Sequence, residues 1–338
     1  MPAISVLMPV YNAEQYLRES IASILSQRFV DFEFFIFNDG STDRSRDIIT
    51  SFNDPRIHFI DFSDNRGYVT LLNLGLQKAQ GKYIARMDAD DVAHPDRFQK
   101  QFDFLETNPE YVVCGTRFSV IDRQDVVELP IDNDDIKLKM LYITPFCHPS
   151  VMMRANTLQS HDIVYDEYYM PAEDHELWVR LAGYGKFANL PEVLLNYRIH
   201  DNNVSLKKRD HNQLESLYKS RLTYINDFFI DVSLKPAEAA TLHTLFFKEE
   251  SFSYDELLTC GELLQRITLR DHTYPVASEK VNDLLAERFF YRCTTSTDIG
   301  IKSFILARKF EFGSQSFTAK LKLLIKALLK YSKPVGGR

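Results

Sequence analysis

Ile4-Ser5-Val6-Leu7-Met8 is a short apolar run that meets Pro9-Val10-Tyr11-Asn12, and it reads as a buried strand stopping at Pro9. Leu17, Ile21, Ile24 and Leu25 follow at i, i+4, i+7 and i+8, one face of a helix. A second apolar run, Phe32 to Phe37, gives way to the turn residues Asn38-Asp39-Gly40-Ser41. Ser41 or Thr42 is placed to cap a helix carrying Ile48, Ile49 and Phe52. Ile57 to Ile60 predicts a third strand, Leu71 to Ala79 a third helix, and Tyr83 to Met87 a fourth strand after a stop at Gly81. Strand and helix alternating at this spacing require crossover connections, so the fold class is α/β, a mostly parallel sheet flanked by helices. Ligands of such sheets bind beyond the carboxyl ends of the strands. Three polar clusters fall there: Tyr11-Asn12, Asn38-Asp39-Gly40 and Asp88-Ala89-Asp90-Asp91.

Working outward, a helical pattern from Asp96 to about Asn108 precedes a strand at Tyr111 to Cys114. Phe118 to Ile121 and Ser150 to Met153 are β-like runs around an acidic loop at Asp132 to Asp135, which predicts a smaller mixed or antiparallel region. Beyond residue 210 strand signals nearly vanish. The expected organisation is an α/β domain over 1–208 and a mostly helical region over 209–338.

The chain has 338 residues, 45% of them hydrophobic and 26% charged, so it is long and apolar enough to bury a core. Its net charge of −7 argues against a protein that coats nucleic acid by charge. Cys114, Cys147, Cys260 and Cys293 lie more than thirty positions apart, without a C-x-x-C pair. Met1-Pro2-Ala3 shows no basic region or cleavage site of an export signal, so reduced thiols in the cytoplasm are expected. No stretch approaches the ~18 uninterrupted apolar residues that a membrane span needs.

Asp88, Asp90 and Asp91 crowd three carboxylates at a strand end, where like charges raise each other's pKa unless compensated. Mg²⁺ or Mn²⁺ is a natural compensation, because such ions take one or two carboxylates and leave positions for phosphate oxygens. An acidic turn is the plainer alternative. Asp39, between Asn38 and Gly40, can accept a hydrogen bond from a ligand base or make an Asx-turn. In Pro171-Ala172-Glu173-Asp174-His175-Glu176-Leu177-Trp178 a helix begins with carboxylates, which the macrodipole stabilises and which can also serve as a general base. Glu173 and Asp174 are equal candidates on these grounds.

Pro9-Val10-Tyr11-Asn12, Asn38-Asp39-Gly40-Ser41-Thr42-Asp43, Arg86-Met87-Asp88-Ala89-Asp90-Asp91 and Glu173-Asp174 ahead of Leu177-Trp178 together resemble, in that order, the inverting family 2 glycosyltransferases of the GT-A fold. The resemblance covers about residues 3 to 205. It implies that Pro9, Tyr11, Asp39, Arg86 and Asp88 bind the nucleotide-sugar, with Tyr11 and Asp39 at the base, Pro9 shaping that loop and Asp88 near the ribose. It further implies a metal at Asp90 bridging the diphosphate, and Asp174 as catalytic base. Tyr197-Arg198-Ile199-His200, with Asn203 and Ser205, is similar to a family segment whose His can complete the metal site, which makes His200 a second candidate ligand.

The implied reaction is a single displacement from a nucleoside-diphosphate sugar, UDP-linked by default, onto a hydroxyl of a glycan or lipid-linked sugar in cell-surface polysaccharide assembly. Processive synthases of the family usually carry Q-x-x-R-W and membrane helices. Here the one Trp, Trp178, follows no such motif, so transfer of one sugar is expected. Nucleotidyltransferases usually open with a Gly-rich phosphate loop, which Pro9 to Ala13 does not supply. A non-catalytic module that kept the crevice is disfavoured by Asp39, Asp90 and Asp174 occurring together. Finally, residues 319 to 331 place Lys322, Lys326 and Lys330 opposite Leu321, Leu324, Ile325 and Leu328. Such a helix can lie on an anionic membrane at the inner face of the plasma membrane, or pack its Leu face on the protein or on a second subunit.

Overall fold

The structure is a computed structural model that describes residues 1–121, 123, 125–200, 211–248, 250–268, 275–296, 299–310 and 323. It divides into two compact units, Met1–Ser220 and Arg221–Arg338. The boundary expected near 206 to 210 lies outside the described residues, as do Asn203, Ser205 and, save Leu323, the stretch 319 to 331.

In the first unit β1 (Ile4–Val10), β2 (Phe32–Asp39), β3 (Ile57–Phe62) and β4 (Tyr83–Arg86) are parallel, joined by α1 (Leu17–Leu25), α2 (Ser45–Thr50) and α3 (Tyr68–Lys78). β1 and β2 are buried along their whole length, as strands covered on both faces must be. Leu17, Ile21 and Ile24 seal one face from α1, fully buried as their spacing requires. β1 runs two residues past the predicted stop at Met8. Pro9 is tolerated because its nitrogen faces the same side as Leu7, where pairing with β4 ends at Leu7, so no bond of that ladder is lost. β2 likewise runs to Asp39, and neither Ser41 nor Thr42 caps α2. The N-cap residue is Arg44, without a side-chain cap, and Asp43 Oδ1 ahead of it accepts the Ser45 N–H at 2.9 Å.

The region expected to be mixed or antiparallel joins the same sheet. β5 (Val92–Ala93), β6 (Tyr111–Val120), β7 (Val126–Val127), β8 (Met152–Arg154) and β9 (Lys186–Tyr197) complete nine strands among the described residues, in the order β3-β2-β1-β4-β8-β6-β9-β5 with β7 beside β6. β8 enters antiparallel between β4 and β6, and β6 pairs β9 in parallel. The two runs at Tyr111 and Phe118 are one strand, continuous through Gly115, where Asn189 and Phe146 pack too closely for a Cβ. Around these strands lie α4 (Arg97–Thr107), α5 (Asn133–Met140), α6 (Ala155–Ser160) and α7 (Glu173–Leu181). α7 is anchored by Leu177, Trp178 and Leu181, with Trp178 edge-on to Phe146 at 5.1 Å between ring centres.

α8 (His211–Phe228) spans the boundary between the units. The second unit is helical in its described residues, as the pattern predicted, with α9 (Pro236–Phe247), α10 (Tyr254–Thr268), α11 (Ser278–Thr295) and α12 (Ile301–Lys309). Gly261 of α10 sits where the Phe310 ring leaves no room for a side chain. Among the described residues no helix is long and apolar enough to cross a membrane.

Candidate active site

The loops after β1 and β2 are tied together at the carboxyl end of the sheet. Asn12 accepts the Thr42 N–H at 2.8 Å and donates its own N–H to Ser41 Oγ at 3.0 Å. Ser45 Oγ and Asp43 Oδ2 accept the N–H groups of Ala13 and Glu14, both at 2.9 Å. Tyr11, between these bonds and Pro9, is exposed.

Asp39 is buried and turns away from its own loop. Its two oxygens accept the N–H groups of Arg66 and Gly67 at 2.6 and 3.1 Å, while Asn38 Oδ1 serves the turn by accepting the Ser41 N–H. Gly67, at φ +86°, leads directly into α3 at Tyr68. Gly40, at φ +67°, lies so near the Asp64 backbone that a Cβ would stand 2.7 Å from its carbonyl carbon.

Asp88, Asp90 and Asp91 follow β4 with one carboxylate oxygen each, all within 4.8 Å of one another. Asp88 pairs with Arg86, which is buried directly behind it. Burial works against the Arg86 charge, and Asp88 more than offsets this. Burial raises the Asp88 carboxyl, Arg86 opposes that, and Asp90 adds to it. Asp91 is fully buried, with Oδ2 unpartnered. Burial, then the charges of Asp88 and Asp90, push its carboxyl well above the usual range. Hard oxygen donors, an excess of negative charge and an unpartnered buried oxygen are what a divalent cation would satisfy.

His200 comes to this cluster from the end of β9, its Nε2 2.8 Å from Asp90 Oδ2. Arg198 fastens the approach. Its N–H donates to Asp91 at 2.8 Å, its Nε to the Asp90 carbonyl at 2.8 Å, and its Nη2 to Glu19 on α1 at 2.6 Å. Tyr16 carries the Arg198 guanidinium on its ring and stacks with His200 at 5.3 Å.

Glu173 and Asp174 begin α7. Glu173 is 4% exposed, and burial followed by the Asp174 charge pushes it up to about 7, against a hydrogen bond from Tyr68. Asp174 is less buried and accepts the His175 N–H at 2.6 Å. His175 ties the helix down through Ser220 Oγ at 2.9 Å and the Met140 carbonyl at 3.0 Å. The two acidic groups meet at Arg86, whose charge acts on Asp88, Asp91 and Glu173 alike. Tyr165, buried and hydrogen-bonded to His148 at 2.9 Å, feels Arg86, Glu173, Asp174 and Asp88.

Among the described residues, Pro9, Tyr11, Asp39, Arg86, Asp88, Asp90, Asp174 and His200 therefore gather at the carboxyl end of the sheet. Sequence reasoning missed Tyr68, Tyr165 and Arg198 as parts of it, because Tyr68 and Arg198 meet partners about a hundred positions away and Tyr165 meets Arg86 across nearly eighty. Only the position of Arg198 inside Tyr197 to His200 offered a signal.

One end of the sheet thus carries an acidic cluster and, across Arg86, a second carboxylate pair. The model of Glycosyl transferase family 2 matches residues 5–164. An uncharacterised glycosyltransferase of Haemophilus influenzae is 34% identical over 251 residues, 69% of this chain and 77% of its own. The amylovoran biosynthesis glycosyltransferase AmsE of Erwinia amylovora is 31% identical over 237 residues, 67% of this chain and 88% of its own. Among solved structures, S. aureus TarS 1–349 in complex with UDP-GlcNAc superposes with a TM-score of 0.61 at 17% identity, covering 97% of this chain and 91% of that one. The mannosyltransferase PcManGT of Pyrobaculum calidifontis, in complex with GDP-Man and Mn²⁺, gives 0.53 at 15%, covering 97% and 88%. The chain belongs to glycosyltransferase family 2, and its fold is the GT-A fold of these structures.

Proposed function

We propose that this glycosyltransferase moves one sugar from a nucleoside-diphosphate donor, UDP-linked, to a hydroxyl of a glycan or lipid-linked acceptor with inversion, in polysaccharide assembly. The observation that carries this is the meeting of the Asp88 to Asp91 cluster with Glu173-Asp174 around the buried Arg86. The polysaccharide setting is supported by the amylovoran relative, and a nucleotide-sugar donor by the ligands of the two structural neighbours.

Tyr11 takes the face of the nucleotide base and Asp39, held by Arg66 and Gly67, its edge, with Pro9 setting where the Tyr11 loop leaves the sheet. Asp88, oriented by Arg86, lies at the ribose. Asp90 and Asp91, with His200, would hold Mn²⁺ or Mg²⁺, which supplies charge neutralisation for the departing diphosphate. Asp174 accepts the proton of the acceptor hydroxyl as its oxygen bonds to the anomeric carbon. The bond to the diphosphate breaks on the opposite face, and the nucleoside diphosphate leaves with the electron pair. No covalent sugar–enzyme intermediate is needed, and product sizing with one acceptor should show a single addition rather than a ladder.

A thermal-shift panel of nucleotide sugars, with and without Mn²⁺, tests this reading. Selective ligands raise apparent stability by mass action, so one donor should raise the Tm of the wild type only when Mn²⁺ is present, and Asp90→Asn should abolish that rise. Equal shifts in D90N, or no shift with any donor, would count against it.

A further inference from the structure

Glu173 and Asp174 are adjacent in sequence yet differ in burial, Glu173 being buried and Asp174 half-buried. The Glu173 Oε2 atom is buried without a hydrogen-bond partner. Four groups face this carboxyl: the Tyr68 hydroxyl from the start of α3, Asp174 beside it on α7, Arg86 from the end of β4, and Tyr165 from the segment ahead of α7. Arg86 is the one cation of the four, and Asp88 already pairs with it. An ionised Glu173 would therefore set a second negative charge against Asp174 with one oxygen unsolvated, whereas a neutral Glu173 removes the repulsion and lowers the desolvation cost. A backbone N–H serves each carboxyl, and Asp174, the less buried of the two, is the better place for the charge.

We propose that Glu173 holds the single proton of the Glu173-Asp174 pair, with Tyr68 as its positioning residue, so that Asp174 stays ionised to receive the acceptor proton. This deepens the assignment of Asp174 as base and rests on it. Tyr68 is fixed for the task through the backbone: Asp39 binds the N–H groups of Arg66 and Gly67, and the next residue is Tyr68. The carboxylate assigned to the nucleotide base and the proton-holding carboxyl are thereby joined by three consecutive residues. The burial that raises Glu173 makes this proton leave near neutrality, whereas the bond from Tyr68 favours the ionised form.

Infrared difference titration of the full chain without ligand reads the proton directly, as the carbonyl stretch of a neutral carboxyl. The wild type should lose such a band as pH rises through about 7, and Glu173→Gln should lack that component. Tyr68→Phe, deprived of the bond that favours ionisation, should keep the band to higher pH. Asp174→Asn, relieved of the neighbouring charge, should lose it at lower pH. An unchanged band in E173Q, or unmoved titrations in Y68F and D174N, overturns the proposal, and the last two variants decide it should E173Q fail to fold. Turnover of D174N bears separately on the base: an active D174N removes that assignment while leaving the infrared result in place.

Discussion

Asp39 shows how one buried carboxylate can serve two levels of the molecule. Its bonds to Arg66 and Gly67 satisfy two backbone donors that would otherwise be stranded beside β2. Asp39→Ala should therefore cost about 1–3 kcal/mol in chemical denaturation, the penalty of unsatisfied buried donors, besides weakening nucleotide binding. Glu173 gives a residue-level prediction about pH. Its folded-state value is raised from 4.5 to about 7, so the folded chain keeps a proton that the unfolded chain has released between those values. Stability from this group is present below about pH 4.5 and lost as pH rises through about 7. A series of Tm values over that window should slope downward with pH more steeply in the wild type than in E173Q, and matching slopes would contradict the assignment. Gly40 is a third case. With φ +67° and a Cβ position blocked by the Asp64 backbone, Gly40→Ala should destabilise by about 1–3 kcal/mol.

At the scale of elements, α7 is the support of the catalytic pair. Trp178 is fully buried against Phe146 and His148, and it anchors the helix that starts at Glu173. Trp178→Ala should cost about 3–5 kcal/mol, measured by denaturant unfolding, and should lower turnover by displacing that start. Retention of wild-type stability would mean that α7 is positioned from elsewhere. The elements were legible in the sequence wherever apolar spacing alone decides them. β1 to β4, α1 to α4 and the Trp178 helix appear within a few residues of where their patterns place them. Their ends were less legible, because an end is set by a partner strand: Pro9 continues β1 only because β4 has stopped beside it, and Asn38-Asp39 stay in β2 because β3 pairs with them. β8 was foreshadowed by the β-like run Ser150 to Met153, but its central place in the sheet was hidden for the same reason. Three residues placed antiparallel between β4 and β6 form a central strand only in the company of both. The candidate site followed this rule too. Asp88 to Asp91 and Glu173-Asp174 announce themselves as acidic clusters, whereas Tyr68 and Arg198 acquire meaning only from contacts that local spacing cannot encode.

For the whole molecule, the two compact units are Met1–Ser220 and Arg221–Arg338. We propose that the catalytic residues belong to the first unit and that the helical second unit contributes acceptor or subunit contacts. Its basic terminal stretch bears on membrane attachment. Leu323, the residue described there, is buried. Removal of residues 319 to 338 should therefore lower stability without changing flotation on anionic vesicles, and loss of flotation on truncation would instead assign the stretch to the membrane. The central claim is that one end of this sheet grips a nucleotide-sugar and deprotonates an acceptor with Asp174. Its most direct measurement is nucleotide-diphosphate release from the donor identified by thermal shift, with acceptor and Mn²⁺, compared between wild type and Asp174→Asn while donor affinity is followed in the same samples. General-base catalysis predicts turnover lower by roughly 10²–10⁴-fold with donor affinity little changed. Release by D174N at the wild-type rate would contradict the account.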